Sequence, residues 1–227
     1  MTSLRLAPAG VVPQRERRPR PIMDYSFYDT NQQSVPIQPA HAMQFGGTLQ
    51  RILQRLVYCT PTYGPPLMAK LDLADGYYRV PLAPQAALQL AVVIPNDHDD
   101  TFLVALPLSL PMGWGHSPPW FCAFTETIAD VSNNKWFPAQ PASLHTLLQP
   151  SQAHNLPSHD QFHASAITLG TTTTPPLAYM DVYIDDFLTV AQPPLHLPWL
   201  NYLLTALDQV FVDLPTANRR QVISVLS

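Results

Sequence analysis

The sequence predicts an α+β fold, in which strand-forming segments are combined with amphipathic helices. The segment 67–73 is apolar at alternate positions, and the segment 177–190 is strand-like on both sides of an adjacent pair of aspartates. The segments 118–131 and 199–212 place most of their apolar residues on one helical face. Together these patterns predict a sheet with helices packed against it.

The composition allows one sizeable domain and gives little support for nucleic-acid binding. The chain has 227 residues, and its 26 prolines are about twice the usual share, so much of it is expected to be loop. Only 12% of residues are charged and the net charge is -4. One basic cluster, Arg15, Arg17, Arg18 and Arg20, is either a solvated tail or a local binding patch.

The cysteines and the hydropathy suggest an intracellular protein without a membrane partner. Cys59 and Cys122 lie far apart and have neither a disulfide pattern nor zinc-ligand spacing, which fits a reducing compartment. No apolar run reaches the length of about 18 residues that a membrane helix requires. The cytoplasm and the nucleus are not distinguished.

The N-terminal half is predicted to begin with disorder and then to alternate between strands, turns and a helix. Residues 1–19 are rich in Pro and Arg and lack periodicity, which predicts a disordered lead-in. A strand is predicted over 21–28 and a helix over 42–57. Asp75-Gly76 predicts a turn. Further strands are predicted over 77–82, 87–95 and 101–107, the last two joined by a polar tip at 96–100.

One long segment interrupts the second half. Residues 134–176 are rich in Pro, Ser, Thr, His and Gln. Structureless loops of this length are uncommon inside compact domains, so we expect a surface insertion between the helix at 118–131 and the strands at 177–190.

Two acidic groups stand out because they interrupt apolar strands. Asp72 lies within one predicted strand, and Asp185 and Asp186 lie at the centre of a predicted hairpin. Buried carboxylates are costly unless they are paired or bind a cation, and hard oxygen ligands suit Mg²⁺. The alternative is ordinary turn chemistry, since aspartate is common in turns.

Four segments, in order, resemble the sequence boxes of retroelement reverse transcriptases. The segment AKLDLADGYYRVPL at 69–82 resembles their first catalytic box, and YMDVYIDDFL at 179–188 resembles their Tyr-x-Asp-Asp box. Between them, LPLSLPMGWGHSPPWF at 106–121 resembles the Leu-Pro-x-Gly box that opens a helix under the template strand. Upstream, RPIMDY at 20–25 resembles the Arg-x-x-x-Asp-Tyr segment of the fingers.

The resemblance implies a right-hand polymerase palm, with an antiparallel sheet backed by helices, partial fingers and no full thumb. On this basis residues 20–66 are partial fingers, and residues 67–133 form the first part of the palm. Residues 177–227 form its second part, with the catalytic hairpin and a C-terminal helix. The resemblance also leads us to expect that the remainder of a polyprotein, including the thumb and a ribonuclease H domain, is missing from this sequence.

The resemblance also implies an RNA-directed DNA polymerase that adds dNTPs to a primer on an RNA or DNA template. Asp72, Asp185 and Asp186 would be catalytic and, with Leu73, would hold two Mg²⁺ ions, for which Mn²⁺ is an alternative. Those ions would activate the primer 3'-hydroxyl and neutralise the triphosphate. The implied nucleotide-binding residues are Arg20, Tyr77, Met112 and Gly113, with Tyr77 excluding a 2'-hydroxyl. The implied template and primer contacts are Tyr183 and Pro118.

Departures from the family pattern leave other functions open. The insertion lengthens the distance between the catalytic boxes, and few residues follow Asp186. A second hypothesis is therefore a catalytically inactive, truncated or domesticated palm that binds nucleic acid or a protein partner. A third is a proline-rich interaction scaffold. Tyr77 could equally be a strand aromatic and Arg20 part of the basic tail.

Overall fold

The chain is a mixed α and β protein built around two sheets. The computed structural model describes residues 4–15, 19–33, 43–95, 102–135, 143–149 and 175–211. The predicted combination of strands and helices is confirmed at this coarse level. None of the helices in these ranges is long and apolar enough to cross a membrane.

The secondary structure comprises seven strands and five α-helices within the described ranges. The strands are β1 Leu6–Val12, β2 Arg20–Met23, β3 Leu67–Asp72, β4 Ala91–Pro95, β5 Phe102–Ala105, β6 Ala178–Tyr183 and β7 Asp186–Ala191. The helices are α1 Thr30–Gln33, α2 Thr48–Val57, α3 Pro84–Gln89, α4 Ser117–Lys135 and α5 Pro193–Val210. Short 3-10 helices cover Phe45–Gly47, Pro61–Tyr63, Gly76–Arg79 and Thr146–Leu148.

These elements divide into two compact units. The first unit is Met1–His41 with Asp75–Phe121, and the second unit is Ala42–Ala74 with Cys122–Ser227. Residues 42–66, predicted as fingers, thus share a unit with β3, whereas residues 75–121, predicted as palm, belong to the other unit. The predicted domain boundaries stay predictions.

The first unit contains a four-stranded sheet in the order β2-β1-β4-β5. β1 pairs with β4 in parallel, and the other pairs are antiparallel. Ala7, Tyr25, Leu90 and Val92 form a buried cluster. The Tyr25 hydroxyl donates a hydrogen bond of 3.0 Å to the Leu90 carbonyl, which satisfies the only polar atom of this side chain.

The prediction of a disordered lead-in is wrong over β1. Leu6, Ala7 and Pro8 pair with β4, and Ala9 to Val12 pair with β2. Two of the three prolines in residues 1–19, Pro8 and Pro13, lie in or next to this strand and do not prevent the pairing. Pro13 lies just beyond the strand, and the Pro8 carbonyl accepts a hydrogen bond from the Asp24 amide at 3.0 Å. Partners distant in the sequence therefore outweigh local composition.

The second unit contains an antiparallel sheet in the order β3-β7-β6. Helices α2 and α5 pack against it. Its core includes large side chains that are almost wholly buried: Leu71, Met180, Phe187, Trp199, Leu200 and Leu203. The predicted strands at 67–73 and 177–190 correspond to β3 and to the β6–β7 hairpin.

Side chains close the outer edge of β6. Asn133 of α4 makes two hydrogen bonds to Met180, donating to its carbonyl at 2.8 Å and accepting from its amide at 3.0 Å. The Thr48 hydroxyl donates to the Val182 carbonyl at 2.6 Å, and the Val182 amide donates to Asp181 at 2.9 Å. Backbone groups that a further strand would otherwise pair are thus satisfied within the unit.

Three predicted strands of the first unit are wrong in whole or in part. Of the strand predicted over 21–28, only 21–23 lie in β2. Residues 76–79 form a 3-10 helix instead of the start of a strand at 77–82, following Asp75 in a left-handed conformation with φ 55°. The predicted strand at 87–95 begins as helix α3, which starts at Pro84, a residue suited to the first helical turn. Only Ala91–Pro95 is strand. The tip at 96–100 lies outside the described residues.

Two predictions near the C-terminus are modified. Helix α5 starts at Pro193, six positions before the predicted start, because Pro193 and Pro194 are tolerated in its first turn. Part of the predicted insertion, residues 143–149, packs against this helix. Asn201 accepts a hydrogen bond from the His145 amide at 2.6 Å, and Leu148 is buried. The rest of the insertion lies almost entirely outside the described residues.

Candidate active site

The acidic residues of both predicted catalytic boxes lie at one end of the sheet of the second unit. In the β3–β7 pair Asp72 is the register partner of Asp186, and in the β6–β7 pair Tyr183 is the partner of Asp186. Directly opposed residues in an antiparallel pair have Cα atoms roughly 5 Å apart. The Leu73 amide also donates a hydrogen bond to the Asp185 carbonyl at 3.3 Å. Two segments that are far apart in the sequence therefore meet at this end.

A two-residue turn, Ile184-Asp185, forms the tip of the β6–β7 hairpin. Ile184 has φ 59°, and it is the first residue of the turn; Asp185 has no positive φ. A left-handed first residue followed by an ordinary second residue is typical of a type II' turn, which prefers glycine at the first position. The turn conformation is therefore unusual for a β-branched residue.

The electrostatics of this end are dominated by carboxylates and one lysine. Burial raises the pKa of the Asp185 carboxyl above its ordinary value, and the negative charges of Asp186 and Asp72 raise it further. Lys70, two residues before Asp72 on β3, places its Nζ 2.8 Å from Asp186 Oδ2. The hydrogen bond to Asp186 in turn raises the pKa of Lys70.

The residue types at this end suit a hard cation, but the side chains do not form a complete ligand set. Asp72, Asp185 and Asp186 supply the oxygen donors that Mg²⁺ prefers. Among the described residues, however, no group of three or more His, Cys, Asp or Glu side chains is arranged to hold a metal ion. One Asp186 oxygen is engaged by Lys70. Lys70 thus competes with a shared cation for this oxygen, while the second Asp186 oxygen makes no contact with Lys70 in this ion pair.

The predicted template contact in this unit, Tyr183, lies beside the tip. Its ring is partly exposed and packs edge-on against Phe45, with ring centroids 5.3 Å apart. Leu73, predicted with the metal ligands, is half-buried and contributes its amide to Asp185. Both residues adjoin the carboxylates through the backbone.

The other predicted site residues belong to the first unit. Arg20 is exposed at the start of β2, and Tyr77 lies in the 3-10 helix with its ring centroid 4.9 Å from that of Phe121. Met112 is half-buried in the loop before α4, and Pro118 is the second residue of that helix. Their predicted contacts with nucleotide and template stay predictions.

Gly113 has a structural reason to be glycine. Its φ is 95°, and a Cβ at this position would overlap the Met23 carbonyl oxygen. Asn31 holds the same loop by donating to the Gly113 carbonyl at 3.2 Å and accepting from the Gly115 amide at 2.8 Å. The backbone that approaches Gly113 closely is therefore that of β2, at Met23.

The sequence analysis missed an ionic cluster in the second unit. Arg51 of α2 forms two hydrogen bonds of 2.6 Å to Asp181 of β6, and the Tyr179 hydroxyl donates to the same carboxylate at 2.8 Å. Burial works against ionisation of Asp181, but these hydrogen bonds lower its pKa. Tyr179 and Asp181 share one face of a strand by their spacing, a signal that was available but did not identify Arg51 as the partner.

Glu126 of α4 lies near the same cluster. Burial raises its pKa to about 6, although the positive charge of Arg51 lowers it. Its Oε1 atom is buried and has no hydrogen-bond partner within the described ranges. Burial thus makes this carboxyl easier to protonate than a free glutamate.

Comparison with known proteins leaves the family open. A scan against protein-family models matches no family, and a search of curated proteins finds no significant match. The likeness to reverse transcriptases consequently rests on the residues of the four boxes themselves.

Proposed function

We propose that this chain carries the palm of an RNA-directed DNA polymerase. The main support is the strand register that pairs Asp72 with Asp186 and sets Asp185 at the adjoining tip. The sequence boxes imply the same three carboxylates as catalytic residues without any use of the structure. Agreement between box order and strand register is difficult to obtain from ordinary turn aspartates.

In this proposal the second unit supplies the carboxylates and their support. Asp72, Asp185 and Asp186 would hold two Mg²⁺ or Mn²⁺ ions, which supply Lewis-acid activation of a primer hydroxyl and charge neutralisation of a triphosphate. The Leu73 amide fixes the Asp185 backbone. Burial and, after it, the negative charges of Asp186 and Asp72 raise the pKa of Asp185, and a bound cation would favour its ionised form.

The residues that bind the nucleotide would come from the first unit. Arg20 would contact the triphosphate, Tyr77 would exclude a 2'-hydroxyl, and Met112 and Gly113 would line the nucleotide site. Tyr183 and Pro118 would contact template and primer. These roles rest on the sequence boxes alone.

The test is template-dependent incorporation of dNTPs by the purified chain with Mg²⁺ and a primed RNA or DNA template. Asp185→Asn removes one anionic ligand while keeping the side-chain shape, so incorporation should fall by at least about a hundredfold. Asp130→Asn makes the same change at an exposed position of α4 and should leave the rate within about twofold. Equal activity in all three proteins would refute the catalytic role.

A second candidate function is an inactive palm that binds nucleic acid. The Lys70–Asp186 ion pair favours it, because a lysine in contact with a ligand carboxylate competes with a cation. This alternative predicts that the wild type and Asp185→Asn bind a primed template equally and that neither incorporates dNTPs. Lys70→Met should then be equally inactive; gained incorporation in that variant would instead favour a polymerase restrained by the ion pair.

A further inference from the structure

A cavity of about 560 Å³ lies within the second unit, between α2 and the start of β6. Arg51, Arg55 and Tyr58 contribute to one side, and Pro176, Leu177 and Tyr179 contribute to the other. This volume is within the range of small-molecule sites in proteins, roughly 300–1,000 Å³. The cavity holds none of the carboxylates of the candidate active site.

The charge of the cavity is positive and is concentrated on one residue. None of its lining residues is acidic. Asp181 neutralises Arg51, whereas Arg55 has no carboxylate partner among the described residues and lies over the Tyr179 ring at 4.7 Å. The N–H groups of a guanidinium form a fork whose geometry matches a phosphate.

The cavity also offers flat surfaces to a ring. Tyr58 is 79% exposed at its rim, and the planar guanidinium of Arg55 lies with its Cζ 4.7 Å from the centroid of the Tyr179 ring. Leu177 and the two prolines before it make the opposite side apolar. Bases stack on tyrosine rings and on guanidinium planes regardless of their sequence.

We propose that this cavity binds a nucleotide, with the phosphate on Arg55 and the base against Tyr58. An anion attached to a flat aromatic body is the ligand that matches one unpaired guanidinium beside an exposed ring. The nucleotide is either free or one unit of a single strand, since both present the same phosphate and base.

The proposed site is separate from the carboxylate tip. Tyr179 and Tyr183 are four positions apart on β6, which corresponds to about 13 Å along a strand. Nucleotide binding here requires neither the carboxylates nor Mg²⁺. The proposal therefore goes beyond the polymerase function and does not depend on it.

The experiment is calorimetric titration of the full chain in EDTA with AMP, adenosine, inorganic phosphate and a single-stranded pentanucleotide. AMP should bind at least about tenfold more tightly than adenosine or phosphate, because it uses both halves of the site. Arg55→Gln should weaken AMP binding at least about tenfold, whereas Arg55→Lys should weaken it less. Arg5→Gln, the same change at a half-buried arginine of the first unit, should alter it less than about twofold.

Further measurements in the same titration identify the ligand and where it binds. Tyr58→Ala should reduce binding of AMP and leave binding of phosphate unchanged. Tighter binding of the pentanucleotide than of AMP assigns the site to a strand, and the reverse assigns it to a free nucleotide. No saturable binding, equal binding by Arg55→Gln, or loss of binding in Asp185→Asn would each overturn the proposal, the last because it would place the ligand at the tip.

Discussion

The sheet of the second unit ends on β6, and the sheet of the first unit ends on β5. Asn133, Thr48 and Asp181 hydrogen-bond to the backbone of β6, so side chains of its own unit satisfy that edge. On β5, by contrast, Phe102, Leu103 and Val104 are three consecutive exposed apolar residues. Within the described residues no further strand pairs with either edge.

The two edges have different consequences for the molecule. A closed edge fixes the register of β6, and with it the position of the carboxylate tip. An open apolar edge retains unpaired backbone groups and tends to accept another strand. Substitutions in the second unit should therefore change its stability, whereas substitutions on β5 should mainly change association.

The largest effect is expected from Arg51→Met. Asp181 is 3% exposed, and loss of its ion pair would leave an uncompensated buried charge, which should lower the free energy of unfolding by about 3 kcal/mol. Urea denaturation measures this change. Arg55→Met, one turn later on the same helix, removes only the contact with Tyr179 and should cost under about 1 kcal/mol.

The effect of Arg51→Met should also depend on pH. Hydrogen bonds lower the folded-state pKa of Asp181 below its ordinary value of 3.8, so their stabilisation is present above that value. It is lost as the pH falls through the lowered pKa. The difference between wild type and variant should therefore shrink in acid. A difference that stays constant down to the lowest pH at which both proteins fold would contradict this explanation.

A smaller effect is expected from Asn133→Ala. It removes both hydrogen bonds to Met180 and should lower the free energy of unfolding by about 2 kcal/mol. Asn134→Ala, at the next and exposed position of α4, should cost under about 0.5 kcal/mol. Hydrogen exchange at the Met180 amide should accelerate only in the first variant. Equal destabilisation by both would show that the edge contacts contribute nothing specific.

The smallest effect on stability is expected from Leu103→Lys on β5. Leu103 is 60% exposed, so its replacement should change the free energy of unfolding by under about 0.5 kcal/mol. A charge on the open edge should nevertheless reduce self-association, which sedimentation velocity at increasing concentration measures. Leu49→Lys, at a 68% exposed position of α2, is the control. If it reduces association as much, exposed apolar area rather than the open edge is responsible.

The sequence predicted the sheet of the second unit better than that of the first. The strands of the second unit are indicated by their apolar residues, and the two acidic boxes lie within those segments. In the first unit the glycine of Asp75-Gly76 begins a 3-10 helix, and Gly76 leaves room for Phe121, with which a Cβ would collide at 2.7 Å. Alternating aromatic residues could not reveal that packing. Likewise, the proline content of residues 1–19 predicted disorder where β1 forms. The strand is stabilised by partners on β4 that lie about 85 residues away in the sequence.

The residues of the candidate site likewise fall into those that the sequence predicted and those that it did not. The three carboxylates stood out because they interrupt apolar strands, and the resemblance to reverse transcriptases implied their catalytic role. The ion pairs of Lys70 and Arg51 depend on which strand and helix meet, and spacing along one element does not specify this. The cavity beside Arg55 was missed for the same reason, since its two sides come from segments separated by more than a hundred positions.

The left-handed conformation of Ile184 has a consequence for the origin of the acidic tip. A β-branched residue disfavours a positive φ, and holding Ile184 in this conformation costs on the order of 1–3 kcal/mol. Six consecutive register pairs between β6 and β7 impose it from both sides. The location of the aspartates is thus inherited from the strands, and it would persist through many changes in the turn itself.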